Sequence, residues 1–536
     1  MRPLPARAAV LRLVGLALVL LGVVGPAGAG PTDPDPNDEV FGAEARPFSV
    51  VLTLAESEVE RLRAEPRQYA RARLVEDGKA TYDDVAVKLK GAAGSFRPVD
   101  ERPALTLNMD KLRAGQTFHG LDKWHLNNSV QDESLLHEAL CADLMAAAGV
   151  PCARVSHARV RWNDRDLGLY VVKEAFDKRF LSRRFEKDGG NLYDGGFCQD
   201  VEAPLERDEG KGKVDRLDLA ELAAASREPD LVAREKRLGA RLDVEAFLTF
   251  VAMERMVGHW DGYGQNANNY RLHFRESDGR AEFFPHGMDQ TFQDPEAPIL
   301  DAPVALVADA VMAVPAWRKR YRERLVELLP LFDAERSLLP RLRRLVARLK
   351  PAVDAMGAGA AAAQAARVRD LEAALVARAE SLREQVKRPD PLGVEFDKKG
   401  RAFVAGWKPV VEGGQPRLEQ EDRAGRRAYG IDAGAGAAVA SWRRRVVLAK
   451  GRYVLEGQVA VAGVVPRRDA EGTGAGLRVS GAVRKGGASG SGAFKATSFE
   501  FEVAEAQASV ELVAELRADK GRAWFAVESL RLVRKP

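Results

Sequence analysis

Near residue 390 the hydrophobic pattern of this 536-residue chain changes texture, which predicts a domain boundary there. From about 301 to 388 apolar residues recur at helical spacing, with Ala-rich turns at 357–367. Residues 391–536 are rich in Gly and Val instead. They fall into short alternating runs at 445–448, 453–461, 498–503, 509–516 and 523–533. Short strands at such spacing predict an all-β sandwich, jelly-roll-like, as a separate domain over 391–536.

The N-terminus reads as an address. Residues 1–12 are basic, 13–25 form an uncharged apolar run, and an A-x-A pattern ends at Ala29. This predicts a cleaved signal peptide over 1–29 and a secreted or extracytoplasmic protein. A retained membrane anchor is the alternative, although the run is shorter than the ~20 residues of a spanning helix. Residues 30–46 read as a linker, since PTDPDPND at 31–38 offers nothing to bury.

Composition excludes several classes. Lys plus Arg number 82 against 78 Asp plus Glu, and three of the arginines fall within 1–29. The near-neutral remainder has no electrostatic footprint for nucleic acid. Three cysteines are too few for a Cys-built zinc site or a disulfide framework. Cys141 and Cys152 either pair or, with Cys198, pack as small hydrophobes. The 7 histidines show no H-x-x-x-H pattern, which argues against a zinc hydrolase.

Between these ends, strand patterns occur at 48–54, 84–90, 103–109 and 121–127, with a polar, charged helix pattern from about Glu56 to 75 and a small-residue loop at 91–95. Asp132 opens a helix that Gly149 ends before Pro151. A hairpin pattern spans 153–173, and 200–240 reads as charged surface loop and helix. Asp243 caps a helix that stops near Gly258, and strands follow at 269–274 and 280–285.

The sharpest chemical cluster lies at 258–292. The loop GHWDGYGQNANN (258–269) packs Asp261 with Asn266, Asn268 and Asn269, and GMDQTF (287–292) follows the next hairpin. Two carboxylates on loops bracketing one hairpin can converge on a point. That suits phosphoryl transfer, in which one Asp takes the proton of an attacking hydroxyl while a second Asp and an Asn hold Mg²⁺. Asp261 and Asn266 have the D-x-x-x-x-N spacing of a kinase catalytic loop, and Asp289 stands where the metal-binding Asp would. Asn and Asp are also turn formers, so the spacing by itself leaves both readings open.

The order of elements, with KLKG at 88–91, GLDKWHLNN at 120–128, QDES at 131–134, AGVP at 148–151, LGLY at 167–170 leading to Glu174, GNLY at 190–193, HWD at 259–261 and MDQTF at 288–292, resembles the CotH kinases, a family of atypical secreted protein kinases. The resemblance covers about 47–390. It implies an α+β, two-lobed kinase-like domain over 47–390, before the all-β sandwich. It implies ATP and Mg²⁺ (or Mn²⁺) as cofactors and a protein Ser, Thr or Tyr as acceptor. Asp261 matches the catalytic acid, Asp289 the metal-binding acid, and Asn266 and Asn269 are both candidates for the metal-binding amide. Lys90 and Lys123 are implied phosphate contacts, with Glu138 as the partner of Lys123. Glu174 matches a hinge-like residue near the nucleotide. Arg102 stands where many relatives carry a lysine, and arginine still binds phosphate bidentately.

The expected function is therefore transfer of the ATP γ-phosphoryl group to a protein hydroxyl outside the cytoplasm. The alternatives are a non-catalytic surface-binding protein on the same fold and a phosphotransferase acting on a small molecule. The C-terminal sandwich would attach to a surface polymer or carbohydrate if Trp407, Trp442 or Trp524 were exposed; sandwiches more often bury such residues.

Overall fold

The computed structural model describes residues 37–536 except 93, 186–188, 212, 389, 391–393, 435 and 468–471. The signal peptide at 1–29, most of the linker and the residues around the expected boundary at 390 thus lie outside or at the edge of the described residues. The end of that linker, Asp38–Phe41, is a helical turn that buries Val40.

Seven strands form a closed barrel. They are β1 (Phe48–Thr53), β2 (Ala70–Glu76), β3 (Ala80–Lys90), β4 (Ala104–Asn108), β5 (Lys123–Asn127), β6 (Val155–Trp162) and β7 (Arg165–Glu174), in the order β1-β2-β3-β4-β5-β7-β6. The parallel pairing of β1 with β6 closes the ring. The strands alternate apolar and polar residues because one face packs inward. Phe118 and Trp124 stack inside at 4.6 Å between ring centroids, beside Trp162 and Tyr170. The strand patterns of β1, β3, β4 and β5 and the hairpin around Asn163 are as expected; β2 is not, since the helix expected from Glu56 ends at Ala64 and Ala70–Glu76 forms a strand instead. The closure is not expected either, since register between β1 and β6 leaves no mark in local periodicity.

The helix His137–Ala147 packs between the barrel and the helical half. Its start is set by Asp132, whose carboxylate accepts the amides of Ser134 and His137, each at 3.0 Å. The expected start at Asp132 is thus five residues early, because Asp132 caps through a preceding turn.

A second, four-stranded sheet has β8 (Leu192–Asp194), β9 (Glu206–Glu209), β10 (Tyr270–Phe274) and β11 (Ala281–Pro285) in the order β11-β10-β8-β9. Helix Val244–Met256 packs against it, capped by Asp243 and ended by Gly258 at φ +68°. Residues 217–239 form two helices that bury Leu219, Leu222, Leu231 and Leu238, so this charged stretch is part of the core. Helices from Leu306 to Gln385 complete the helical half.

The C-terminal part is all β. Its strands join in one hydrogen-bonded network rather than the many short runs expected, because Ala438–Pro466 and Gly490–Ala526 run as two continuous paired strands. Trp407, Trp442 and Trp524 are all buried. Among the described residues the cysteines are unpaired; Cys141 and Cys152 are buried, whereas Cys198 is exposed.

Candidate functional site

A cleft of about 740 Å³ opens where the barrel meets the four-stranded sheet. The barrel contributes Lys90, Asn127 and Lys173, and the sheet contributes Asp194, Glu206 and Arg271. The loops on either side of the β10–β11 hairpin contribute Asp261, Asn266, Asn269 and Asp289. The two acid-bearing loops therefore do line one cleft.

Three side-chain amides hold Asp261. Asn266 Nδ2 donates to Oδ1 at 2.6 Å, and Asn268 and Asn269 Nδ2 donate to Oδ2 at 3.0 and 2.8 Å. A carboxylate offers about four acceptor positions. One remains, on Oδ1, to take a further proton donor. Because Asn266 and Asn269 turn their NH₂ groups to Asp261, their carbonyl oxygens are left as acceptors, whereas Asn268 Oδ1 accepts the Cys198 amide at 3.3 Å. The loop achieves this by placing Ala267 and Asn269 in the left-handed region, at φ +46° and +48°. Asn269 is locked from outside as well: its carbonyl accepts the His286 amide at 2.8 Å.

Glu138 reaches the cleft wall from the helix His137–Ala147. Its partner is Lys173 of β7, not Lys123, and both side chains of this ion pair are 2% exposed. The Met288 amide also donates to Glu138 Oε1, which ties the helix to the residue before Asp289. The reason is register. Lys173 lies opposite His125 across β5 and β7, whereas Lys123 is two residues further along β5, opposite Asn108. Lys123 does not line the cleft.

Lys90 does line it, and its ammonium donates to Asn127 Oδ1 at 2.7 Å. Burial, reinforced by nearby Lys173, pushes the Lys90 pKa down to about 7. The Asp289 carboxyl is pushed up, by burial and then by the Glu138 charge.

Arg102 and Glu174 lie elsewhere. Arg102 stacks on the Tyr170 ring at 5.0 Å and donates to the Leu169 carbonyl. Glu174 is buried between Arg154, at 3.0 Å, and Arg183, at 2.6 Å. Neither lines the cleft.

Arg271 and Arg378 shape the site without a mark in the sequence, and His259 of the HWD motif takes a buried supporting place. Arg271 of β10 pairs with Asp194 at 2.7 Å and faces the cleft. His259 is buried with Nε2 3.0 Å from the Gly287 carbonyl and Nδ1 3.7 Å from Glu254. Burial opposes its charge, but Glu254 and the carbonyl outweigh burial and raise its pKa. Arg378, fully buried on the helix Ala358–Gln385, donates to the carbonyls of Met256 at 3.0 Å and Arg255 at 2.6 Å. It also donates to Pro295 at 2.8 Å and Ala297 at 2.7 Å. It thereby closes the end of the helix that launches the Asp261 loop. Only its long-range contacts reveal this role, which no local motif encodes.

Among the described residues no group of three or more His, Cys, Asp or Glu gathers as a protein-only metal cage. The cleft does offer Asp289 and the freed amide oxygens of Asn266 and Asn269, hard donors of the kind Mg²⁺ takes together with substrate phosphates. His286 Nδ1 is buried in the cleft wall without a hydrogen-bond partner. These residues fit a cation and phosphate better than they fit a dry cavity.

The family model described as CotH kinase protein matches residues 87–358, just over half of the chain. The chain is 24% identical over 192 residues to inner spore coat protein H of Bacillus subtilis, covering 33% of this chain and 52% of that protein. It is 24% identical over 177 residues to spore coat protein homolog 1 of Rhizopus delemar, covering 30% of this chain and 28% of that protein. The matched part thus spans about half of one curated relative and just over a quarter of the other. Among solved structures, TmCBM61 in complex with β-1,4-galactotriose aligns at 14% identity with a TM-score of 0.18, covering 25% of this chain and 91% of that one. A family 35 carbohydrate binding module from Clostridium thermocellum aligns at 14% identity and TM-score 0.16, covering 23% and 97%. At these TM-scores neither likeness bears on function.

Proposed function

The chain belongs to the CotH kinase protein family, and on that premise we propose that it is an extracytoplasmic atypical protein kinase, transferring the γ-phosphoryl group of ATP to a protein Ser, Thr or Tyr hydroxyl. The observation that carries this reading is the convergence of Asp261 and Asp289 on one cleft whose barrel wall presents Lys90 and Lys173.

The residues divide the work. Lys90, Lys173 and Arg271 supply positive charge for phosphate oxygens, with Glu138 fixing the Lys173 ammonium. Asp289 and the amide oxygens of Asn266 and Asn269 would hold a divalent cation, Mg²⁺ or Mn²⁺, which when bound offsets charge on the transferring phosphoryl group. Asp261, oriented by its three amides, uses the remaining Oδ1 position to accept the proton of the acceptor hydroxyl. Proton transfer of this kind contributes on the order of 10²–10⁴ in rate, and positioning supplies much of the rest.

The spore-coat names of the relatives support an extracellular or coat location. Among the described residues no helix is long and apolar enough to cross a membrane.

Calorimetric titration with ATP, with and without Mg²⁺ or Mn²⁺, tests the reading. Binding that requires the metal and disappears in Asp289→Ala is expected. Absence of binding with either metal would overturn it in favour of a non-catalytic binding protein.

A further inference from the structure

The helix that carries Glu138 separates two clefts. Its other face, through Ala139, Ala142, Asp143 and Ala146, lines a second cleft of about 790 Å³. The helix Leu339–Asp354 and the segment around Phe41 form the remaining walls. Six arginines line this cleft: Arg46, Arg154, Arg183, Arg184, Arg344 and Arg348. Only two acids do, Glu44 and Asp143.

Three of the six guanidiniums are already engaged. Glu174 sits between Arg154 and Arg183, and Asp143 holds Arg344 at 2.8 Å. Among the described residues Arg46, Arg184 and Arg348 show no ion pair. Arg184 donates only a long hydrogen bond, 3.5 Å, to the Gly149 carbonyl. Arg348 is half-buried, and burial together with the neighbouring Arg344 lowers its pKa. An arginine held part-way out of water beside a like charge is a cost that a bound anion removes.

We propose that this second cleft binds a multiply charged phosphate-class anion, carried on a phosphorylated peptide or free in solution, through Arg46, Arg184 and Arg348. The planar guanidinium fork matches phosphate oxygens bidentately, and a concave wall with excess positive charge concentrates such anions. The site is also wired to the phosphoryl-transfer cleft. Lys173 and Glu174 are consecutive on β7, so their side chains leave opposite faces of the strand. Lys173 turns to Glu138, and Glu174 turns to Arg154 and Arg183 on the second cleft. Arg154 and Arg183 line the same cleft, so an anion held by Arg46, Arg184 and Arg348 adds negative charge beside the Glu174 pairs and acts on the strand that positions Lys173.

The test is calorimetry of the intact protein with inorganic tripolyphosphate and, separately, with a phosphoserine peptide. Wild type is compared with Arg46→Gln/Arg184→Gln/Arg348→Gln and with Lys90→Ala, which alters the other cleft. The proposal expects the triple variant to lose at least about tenfold in affinity at a site that Lys90→Ala retains. The probe that binds more tightly identifies the source of the phosphate. An unchanged isotherm in the triple variant, or loss of all binding in Lys90→Ala alone, would overturn the proposal. Should the triple variant melt early, Arg46→Gln/Arg184→Gln changes only exposed side chains and must still weaken binding. Because the readout is binding of a metal-free anion, it stands or falls separately from metal-dependent ATP binding through Asp289.

Discussion

Lys173 and Glu138 form a buried ion pair between β7 and the helix His137–Ala147, and the Met288 amide hydrogen-bonds the same carboxylate. The pair joins three parts of the chain at the cleft wall. Removing one partner strands a charge in the interior, which costs about 3–5 kcal/mol. Lys173→Met and Glu138→Gln should each lose stability on that scale in chemical denaturation. Lys173→Met/Glu138→Gln should recover most of it, because no unpaired charge remains and the carbonyl of the introduced glutamine still accepts the Met288 amide, while phosphoryl transfer stays lost.

Gly287 is at φ +54°, and a Cβ there would stand 2.5 Å from Asn269 Oδ1. Gly287→Ala must therefore adopt a left-handed conformation, costing roughly 1–2 kcal/mol, and displace the amide that orients Asp261. The expected outcome is a folded protein whose transfer rate falls on the order of 10²-fold, as for a misplaced catalytic group. Circular dichroism and a rate assay on the same preparation check both halves.

Lys90 titrates near physiological pH. Its pKa of about 7 in the folded protein is below the usual lysine range, so the ammonium is charged below pH 7 and loses its proton as pH rises through 7. Binding phosphate requires the charged form. Nucleotide affinity should fall above pH 7, and binding at pH 8–9 should take up a proton, read as a calorimetric enthalpy that depends on the buffer. Lys90→Arg keeps its charge throughout and should remove that component.

Arg378 donates to four backbone carbonyls from a fully buried position. Hydrogen bonds from a charged group contribute about 1.5–3 kcal/mol each, and Arg378→Met leaves the carbonyls unpaired. A loss of at least about 3 kcal/mol is expected, with the order of the Asp261 loop reduced. Hydrogen exchange of residues 258–269 measures the second effect.

The sequence made legible what depends on local period and spacing. Six of the seven barrel strands, the β10–β11 hairpin and the two loops carrying Asp261 and Asp289 follow from alternation and turn chemistry; β2 lies in a charged stretch that reads as helix. Glu138 pairs with Lys173 rather than the expected Lys123 because strand order in a closed barrel brings β7, not the β5 lysine nearer in sequence, against the helix. Glu174 and Arg102 matched a motif by position, yet their side chains are taken up by Arg154 and Arg183 and by Tyr170. Arg271 and Arg378 act through contacts with residues about 80 to 120 positions away, which a single sequence does not encode locally. In the C-terminal part, alternation identified β structure, but the continuity of two long strands depends on their pairing with each other.

The central claim is that this cleft moves a phosphoryl group. The most direct measurement incubates the intact protein and a casein-like acceptor with γ-labelled ATP and Mg²⁺ or Mn²⁺, alongside Asp261→Asn and Asp289→Asn. The account expects label on protein, a fall on the order of 10²–10⁴-fold in Asp261→Asn with ATP binding retained, and loss of both binding and transfer in Asp289→Asn. No label from wild type, or equal labelling by all three proteins, would contradict it.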